Sequence, residues 1–547
     1  MRKIPILIFL QFILTGAFSQ VFTDSNLPIV VINTIGQPIH DDTKINCDMG
    51  IIYNGPGIRN YLTDPYNNYN GKIGIELRGS TSQQYPKKSY GVETRDSSFL
   101  KLNVSLLGMP EENDWILYGA YPDKTLMRNE ITFDLFSKMQ PWSPRFVYCE
   151  LTINGDYKGV YSLLERIKRD ENRIDIATLD SNDIAGDSLT GGYIIKIDKL
   201  TGNSLSTWTS PYQDKLLYLF HDPEDIELTI EQQNYIEDYV TDFEDAVYGP
   251  DFSDSTTGFR AFVDVRTFAD FFIMQELGRT VDGYRSSSFM YKDKWSNGGK
   301  LKCGPMWDFN LSYGNADYCS AYDTTGWQYN FADICWDFPT EPPNWWPRML
   351  EDTAYANFVK CRWIIYRNGI LNTDTINNWI DSIALYLDES KERNFERWDI
   401  IGEYVNWNYF IGDSYEEEID YLKWWFKARS EWLDANLPGN CNMDDYLATD
   451  GKPVLITVGI DDLEIVSSNI FPNPFSTVAT FVFNSTHHTE RTLFIYNVLG
   501  GLVKQIIIPQ GSNTATITWD QLSNGIYFYE LKENSVMVSS GRMMLSN

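Results

Sequence analysis

Histidine is nearly missing from this chain: His40, His221, His487 and His488 are the whole supply. The sequence has no HExxH, no GxSxG and no GxxxxGK[ST]. Those absences exclude the helix-borne zinc protease site, the nucleophile elbow and the phosphate-binding P-loop. A His-dependent hydrolase or zinc site in the long N-terminal region would have to use His40 or His221, and His221 lies in a turn-like HDPED stretch. Chemistry is therefore expected from carboxylates, lysines and a hard metal. Cysteine is sparse too, with seven residues at 47, 149, 303, 319, 335, 361 and 441 and no CxxC pair, which removes a zinc ribbon and a thioredoxin-type motif. Cys319 and Cys335, both in a polar, turn-rich stretch, are the expected disulfide, and the odd count leaves at least one thiol unpaired. Positive charge is in deficit, 45 Lys and Arg against 75 Asp and Glu, for a formal net charge of −30. Such a field repels phosphate backbones and argues against a nucleic-acid binder. No run of 18 apolar residues exists, so no integral membrane segment is expected.

What is present begins with a leader. Arg2 and Lys3 precede an apolar stretch from Ile4 to Leu14, and Ala17 and Ser19 supply small residues before Gln20. Residues 1–19 are accordingly expected to be a signal peptide, which places the mature chain outside the cytoplasm. Residues 20–440 are expected to form one α+β domain with a β-rich first half and a helical second half. Runs such as PIVVINT (28–34), KIGIEL (72–77), FVYCELTI (146–153) and GGYIIKID (191–198) are strand-like. Asn154–Gly155 suits a hairpin turn. A helix is expected over 125–139 with Asp123 as its candidate N-cap, and others over 231–246 and 265–277, the last capped by Asp264. Residues 441–464 read as an acidic linker, and 465–547 as a small β-sandwich of short alternating strands.

Three constellations carry chemistry. Arg78-Gly79-Ser80-Thr81-Ser82-Gln83 joins two strand-like runs, and its small hydroxyl residues, Ser80 and Ser82 among them, let backbone and side-chain donors approach an anion. Lys87 and Lys88 follow, one of which must face inward on its strand. Val281-Asp282-Gly283 and Gly304-Pro305-Met306-Trp307-Asp308-Phe309-Asn310 each place an acid in a turn at the end of an apolar element. Two such carboxylates suit a magnesium ion and a hydroxyl nucleophile. Taken alone, each of these groups is more often a turn, cap or solvated residue; their order along the chain is that of the parts of a protein kinase. Trp327, Trp336, Trp345 and Trp346 cluster in one stretch, and their size favours packing in the helical half over exposure.

The segments RGSTSQQYPKKSYGVET (78–94), LLGMPEENDWILYGAYPDKTLMRNE (106–130), LTINGDYKGVYSLLERIK (151–168), GGYIIKIDK (191–199) and ELGRTVDGYRSSSFMYKDK…GPMWDFNLSYGN (276–315) resemble the CotH kinase family, relatives of spore coat protein H described as atypical kinases of secreted proteins. The resemblance implies a protein-kinase-like two-part domain that uses ATP and Mg²⁺. By position, Asp282 would orient the substrate hydroxyl and Asp308 would ligate magnesium. Lys88 or Lys87 would hold ATP phosphates, with Glu130 as that lysine's partner, and Glu165 and Arg166 would line the nucleotide pocket. Ser287 stands where kinases carry a metal-binding Asn, and Asn310 is the residue that could compensate. The implied partner is an exported protein substrate; the rival readings are a non-catalytic surface binder on the same scaffold and a two-carboxylate carbohydrate enzyme. The small C-terminal segment, with FPNPFS (471–476), LFIYNVLGGLV (493–503) and LSNGIYFYEL (522–531), resembles the type A sorting domain of the type IX secretion system. It implies engagement of that machinery and a secreted or outer-surface location.

Overall fold

The structure, a computed structural model, describes residues 22–442 apart from 42 and 201–205, then Tyr446, and the strands with part of their connections between 468 and 545. The expected leader, nearly all of the expected linker and the turn at 472–474 lie outside the described residues.

The β-rich half closes on itself. Strands β1 (Ile29–Asn33), β2 (Ile45–Ile52), β3 (Tyr69–Arg78), β4 (Ser89–Arg95) and β5 (Asp114–Tyr118) are followed by helix α1 (Arg128–Ser137) and the hairpin β6 (Phe146–Ile153) and β7 (Asp156–Glu165). They form a closed barrel in the order β1-β2-β3-β4-β5-β7-β6. Every neighbouring pair is antiparallel except β1 and β6, which close the barrel in parallel. Alternation explains the interior: Ile73 and Ile75, Tyr90 and Val92, Trp115 and Leu117, Cys149 and Leu151, and Tyr161 and Leu163 are two residues apart and fill one core. Asn154 and Gly155 make the β6–β7 turn with φ of 53° and 79°, the left-handed conformation that this pair tolerates. The closed barrel is an outcome that the strand-like runs alone did not dictate.

A second, antiparallel sheet carries β8 (Tyr193–Ile197), β9 (Thr207–Ser210), β10 (Gln213–Asp222), β11 (Ser288–Lys292) and β12 (Leu301–Cys303), in the order β9-β10-β8-β11-β12. Between β10 and β11 lie helices α2 (Ile230–Tyr248) and α3 (Val265–Gly278). Thr229 caps α2 through the Gln232 N–H, and Asp264 caps α3 through the Arg266 N–H at 3.0 Å. The rest is helical: α4 (Trp345–Leu350), α5 (Thr353–Arg367), α6 (Thr373–Tyr386), α7 (Asp388–Arg397) and α8 (Tyr415–Asn436). The largest core joins these helices, the second sheet and the outside of the barrel. Trp345 and Trp346 are buried in it and Trp327 packs against it, whereas Trp336 is 76% exposed. Disulfides Cys319–Cys335 and Cys361–Cys441 are present, the second fastening the first residue of the expected linker to α5. Cys47, Cys149 and Cys303 are buried free thiols.

The C-terminal segment forms a three-stranded and a four-stranded antiparallel sheet around a core of its own, with Phe481, Leu493, Ile495, Ile517 and Leu531 fully buried. Among the described residues no helix is long and apolar enough to cross a membrane.

Candidate functional site

The second sheet gathers the acids. Ile197 at the end of β8 pairs with Ser288 at the start of β11, so Asp198 and Ser287 leave neighbouring strands at the same sheet edge. The chain after β12 returns to that edge as Trp307 and Asp308. Helix α1 holds it there, because Asn129 Oδ1 accepts the Phe309 N–H at 2.6 Å. Ser287 and Asp308 both have left-handed backbones, with φ of 48° and 67°. Side-chain-bearing residues resist that region, and such strain concentrates at functional sites. The strained pair meets, Ser287 Oγ lying 3.5 Å from Asp308 Oδ2.

Charge at this edge is unbalanced. Burial, then the fields of Asp282 and Asp198, push the Asp308 carboxyl up to about 7, and Lys199 only partly offsets them. Lys199 also donates to Thr81 Oγ1 at 3.3 Å, which ties the hydroxyl-rich turn from the end of β3 to this site. Lys196 pairs with Asp198 at 2.9 Å, and Arg285 Nη2 pairs with Asp282 Oδ1 at 3.0 Å.

From the barrel side comes Arg78, the last residue of β3. It has no hydrogen bond or ion pair among the described residues; its guanidinium lies over the Trp307 ring at 5.8 Å. Burial and the nearby Arg166 draw it down to about 10. His221 at the end of β10 is drawn down to about 3, by burial and then by Lys196 and Arg166. It is therefore neutral near pH 7, and its Nε2, 3.0 Å from the Ile167 carbonyl, must carry the proton. Arg78, His221 and Asp308 are partly open to solvent yet enclosed enough for desolvation to dominate their ionisation. Those two properties together describe a recess. An unpaired guanidinium and a hydroxyl-rich turn offer donors suited to an anion; Asp308 and Ser287 offer hard oxygens suited to a cation.

The remaining expected residues are distributed unevenly. Ser80 and Ser82 are exposed on the turn after Gly79. Gly79 has a φ of 108°, a backbone that side-chain-bearing residues adopt only under strain. Lys88 supports this turn by donating to the Gln83 carbonyl at 2.5 Å. Lys87 is turned the other way: it is 2% exposed, donates to Asn394 Oδ1 of α7 at 2.8 Å and lies over the Tyr161 ring. Glu130 feels its charge but accepts instead from Ser162 Oγ at 2.5 Å, with its second oxygen unpartnered. Among the described residues neither Lys88 nor Lys87 forms the ion pair expected with Glu130: Lys88 is bonded to the Gln83 carbonyl and Lys87 to Asn394. Glu165 is buried on Arg145, accepting from its backbone and guanidinium at 2.8–3.1 Å, and supports the barrel rim. Arg166 stays half-exposed, 4.0 Å from Asp114. Asn310 follows Asp308 closely, and its carbonyl accepts from Asn315 at 2.7 Å. Among the described residues no three His, Cys, Asp or Glu side chains gather as a ready-made metal cage. Magnesium commonly takes one or two carboxylates and completes its shell with phosphate oxygens and water, so two protein oxygens here suit it.

Sequence reading placed Arg78 and Arg285 in these constellations without giving either a role, and it passed over Asp198 and Lys199. Asp198 and Lys199 were available at the end of the GGYIIKIDK block, but only the β8–β11 pairing brings them to Asp308.

Comparison with known proteins agrees with this architecture. A family model described as CotH kinase protein matches residues 75–433, and one described as a secretion system C-terminal sorting domain matches residues 469–544. Inner spore coat protein H of Bacillus subtilis (strain 168) is 32% identical over 95 residues, which cover 17% of this chain and 24% of that protein. The chain therefore matches about a quarter of that relative's length. The sorting domain marks a protein delivered by type IX secretion to the cell surface or beyond it. With the family model covering well over half of its length, the chain belongs to the CotH kinase protein family.

Proposed function

We propose that this protein is a Mg²⁺- and ATP-dependent phosphotransferase acting on hydroxyl groups of exported proteins. The observation that carries the reading is the meeting of Asp308 and Ser287, both strained, at an edge shared with Asp282 and faced by the unpaired Arg78. The raised carboxyl of Asp308, caused first by burial and then by Asp282 and Asp198, supports a cation there, since a bound metal would favour its charged form. Asp308 and Ser287 would hold the ion, with Asn310 within two residues; bound, it would neutralise phosphate charge. Arg78, Arg166 and the turn carrying Ser80 and Ser82 would hold the phosphates. Asp282, fixed by Arg285, would accept or orient the proton of the substrate hydroxyl.

A non-catalytic surface binder is the second reading, and two observations favour it: Lys87 rests on Asn394 rather than Glu130, and Ser287 supplies a hydroxyl where a carboxamide would bind metal better. One experiment separates the two. ATP is titrated into the mature full chain with and without Mg²⁺, beside Asp308→Asn, and phosphate transfer to a mixed Ser/Thr-containing protein is followed beside Asp282→Asn. Magnesium-dependent binding lost in Asp308→Asn, with transfer reduced about 10²-fold or more in Asp282→Asn, is the expected result. A folded chain that binds no nucleotide ends the phosphotransferase reading and leaves the surface binder.

A further inference from the structure

Asp282 owes its orientation to a neighbour three residues on, and that neighbour is held by a distant segment. Arg285 is 3% exposed. Its Nη2 donates to Asp282 Oδ1 at 3.0 Å, its Nε to the Val281 carbonyl at 2.7 Å and its Nη1 to Thr340 Oγ1 at 2.8 Å. The guanidinium lies 4.3 and 4.5 Å from the ring centroids of Phe331 and Phe338, which are themselves set edge-to-face at 82° and form a corner around it. A guanidinium held by three hydrogen bonds against two rings keeps one orientation, and a lysine would not reproduce it.

All three outer partners, Phe331, Phe338 and Thr340, belong to one stretch with little regular structure of its own: two short turns of helix, Gln328–Asn330 and Phe331–Ile334. The Cys319–Cys335 bond closes the part that contains Phe331, and Phe338 and Thr340 follow Cys335 by three and five residues. Cys319, Cys335, Tyr318 and Phe338 pack on the small core that contains Val281, next to Asp282, and Leu311, three residues past Asp308. Tyr318 and Phe338 are stacked, 10° from parallel. The disulfide thus ties the loops of both acids to the segment that grips Arg285.

We propose that the segment 319–340, anchored by the Cys319–Cys335 bond, is a clamp that orients Asp282 through Arg285, so that catalytic competence requires that bond. The inference rests on the phosphotransferase reading and adds to it a positioning residue, Arg285, and a compartment dependence. In a reducing compartment the bond takes up two electrons and two protons from a dithiol, yielding two cysteine thiols and the oxidised dithiol. Thiols persist in the cytoplasm and disulfides form outside it. The chain is therefore idle before export and becomes competent where its substrates are.

The test uses the mature full chain, the double variant Cys319→Ser/Cys335→Ser, the milder Phe338→Leu, and Arg285→Lys. Cys361→Ser/Cys441→Ser serves as the control for general loss of a disulfide. The first readout, without any ligand, is amide hydrogen exchange of the peptide covering 281–287. The second is the split between kcat and KM for ATP. The expected result is exchange about tenfold faster at 281–287 in the first three variants and not in the control, with kcat lowered about tenfold or more and KM for ATP nearly unchanged. Treating the wild type with dithiothreitol should reproduce the loss of kcat, and reoxidation should restore it. Unchanged exchange and unchanged kcat in folded Cys319→Ser/Cys335→Ser would overturn the clamp. If that variant does not fold, unchanged exchange in Phe338→Leu and Arg285→Lys overturns it instead. A wild-type chain that transfers no phosphate overturns the function reading, and the exchange measurement then decides the clamp by itself.

Discussion

Lys87 and Glu130 occupy the same buried region without a direct bond, and each shows what burial does to a charge. Burial draws the Lys87 ammonium down to about 7 and pushes the Glu130 carboxyl up to about 8. For Glu130 the folded chain holds its proton more tightly than the unfolded chain, so stability is full below about pH 4.5 and declines as pH rises toward about 8. Glu130→Gln keeps an oxygen for the Ser162 hydroxyl and removes the titration. Its melting temperature relative to wild type should therefore climb between pH 5 and pH 8, measured by calorimetry in a pH series; a flat difference would show that Glu130 ionises normally. Asp308 has the same sign, raised to about 7. Metal and proton compete for it, so Mg²⁺ affinity should drop about tenfold per pH unit below about pH 7, read by titration calorimetry. The sequence offered Asp282 and Asp308 because each sits in a turn at the end of an apolar element, and Ser287 through the position that the kinase resemblance assigns to it. It hid the roles of Arg285 and Arg78, since nothing local reveals that one guanidinium is held against two rings and that the other has no ion pair among the described residues.

Helix α1 shows how an element is both read and misread. The apolar spacing of Leu126, Ile131 and Leu135 predicts a helix from 125, but Leu126 takes a φ of 60° and the helix starts at Arg128. Asp123 explains the delay. Its carboxylate accepts the N–H groups of Thr125, Met127 and Arg128 at 2.8–3.2 Å and pairs with the Arg128 guanidinium at 2.6 Å, both side chains being buried. The N-cap position itself falls on Met127, and Asp123 serves the helix start from four residues before it. Asp123→Ala leaves three N–H groups, the Thr125 hydroxyl and a buried cation unmatched and should cost about 3–5 kcal/mol, measured by urea unfolding. It should also shift α1 and with it Asn129, the residue that seats Phe309 beside Asp308. The Cys361–Cys441 bond acts at the same scale on the last helices. Closing a loop of 80 residues, it should stabilise by on the order of 4 kcal/mol, lost in Cys361→Ser/Cys441→Ser. Residue spacing could not pair those cysteines, because the contact between α5 and the end of the domain is tertiary.

For the whole molecule, the division into a large α+β domain and a small β domain was legible from the return of short alternating strands after residue 465. Their buried clusters share no residue. Deleting 465–547 should leave the main thermal transition within about 2 °C of the full chain, since no shared core is lost, while abolishing delivery to the surface in a protease-shaving assay. Barrel closure was not legible. Alternation tells which side chains face inward, yet nothing in PIVVINT or FVYCELTI names the other as its partner.

That closing pair has a consequence for how the protein is made. Ile29 lies beside Glu150, about 120 residues later in the chain, so the first strand has no permanent neighbour on one side until the β6–β7 hairpin has emerged. Such distant pairings form slowly, because a long stretch of chain must be ordered before the contact rewards it. The chain therefore stays pliable until β6 is available and completes its barrel only then. The same delay leaves an open strand edge waiting, and a holding chaperone would find its natural client in the nascent β1.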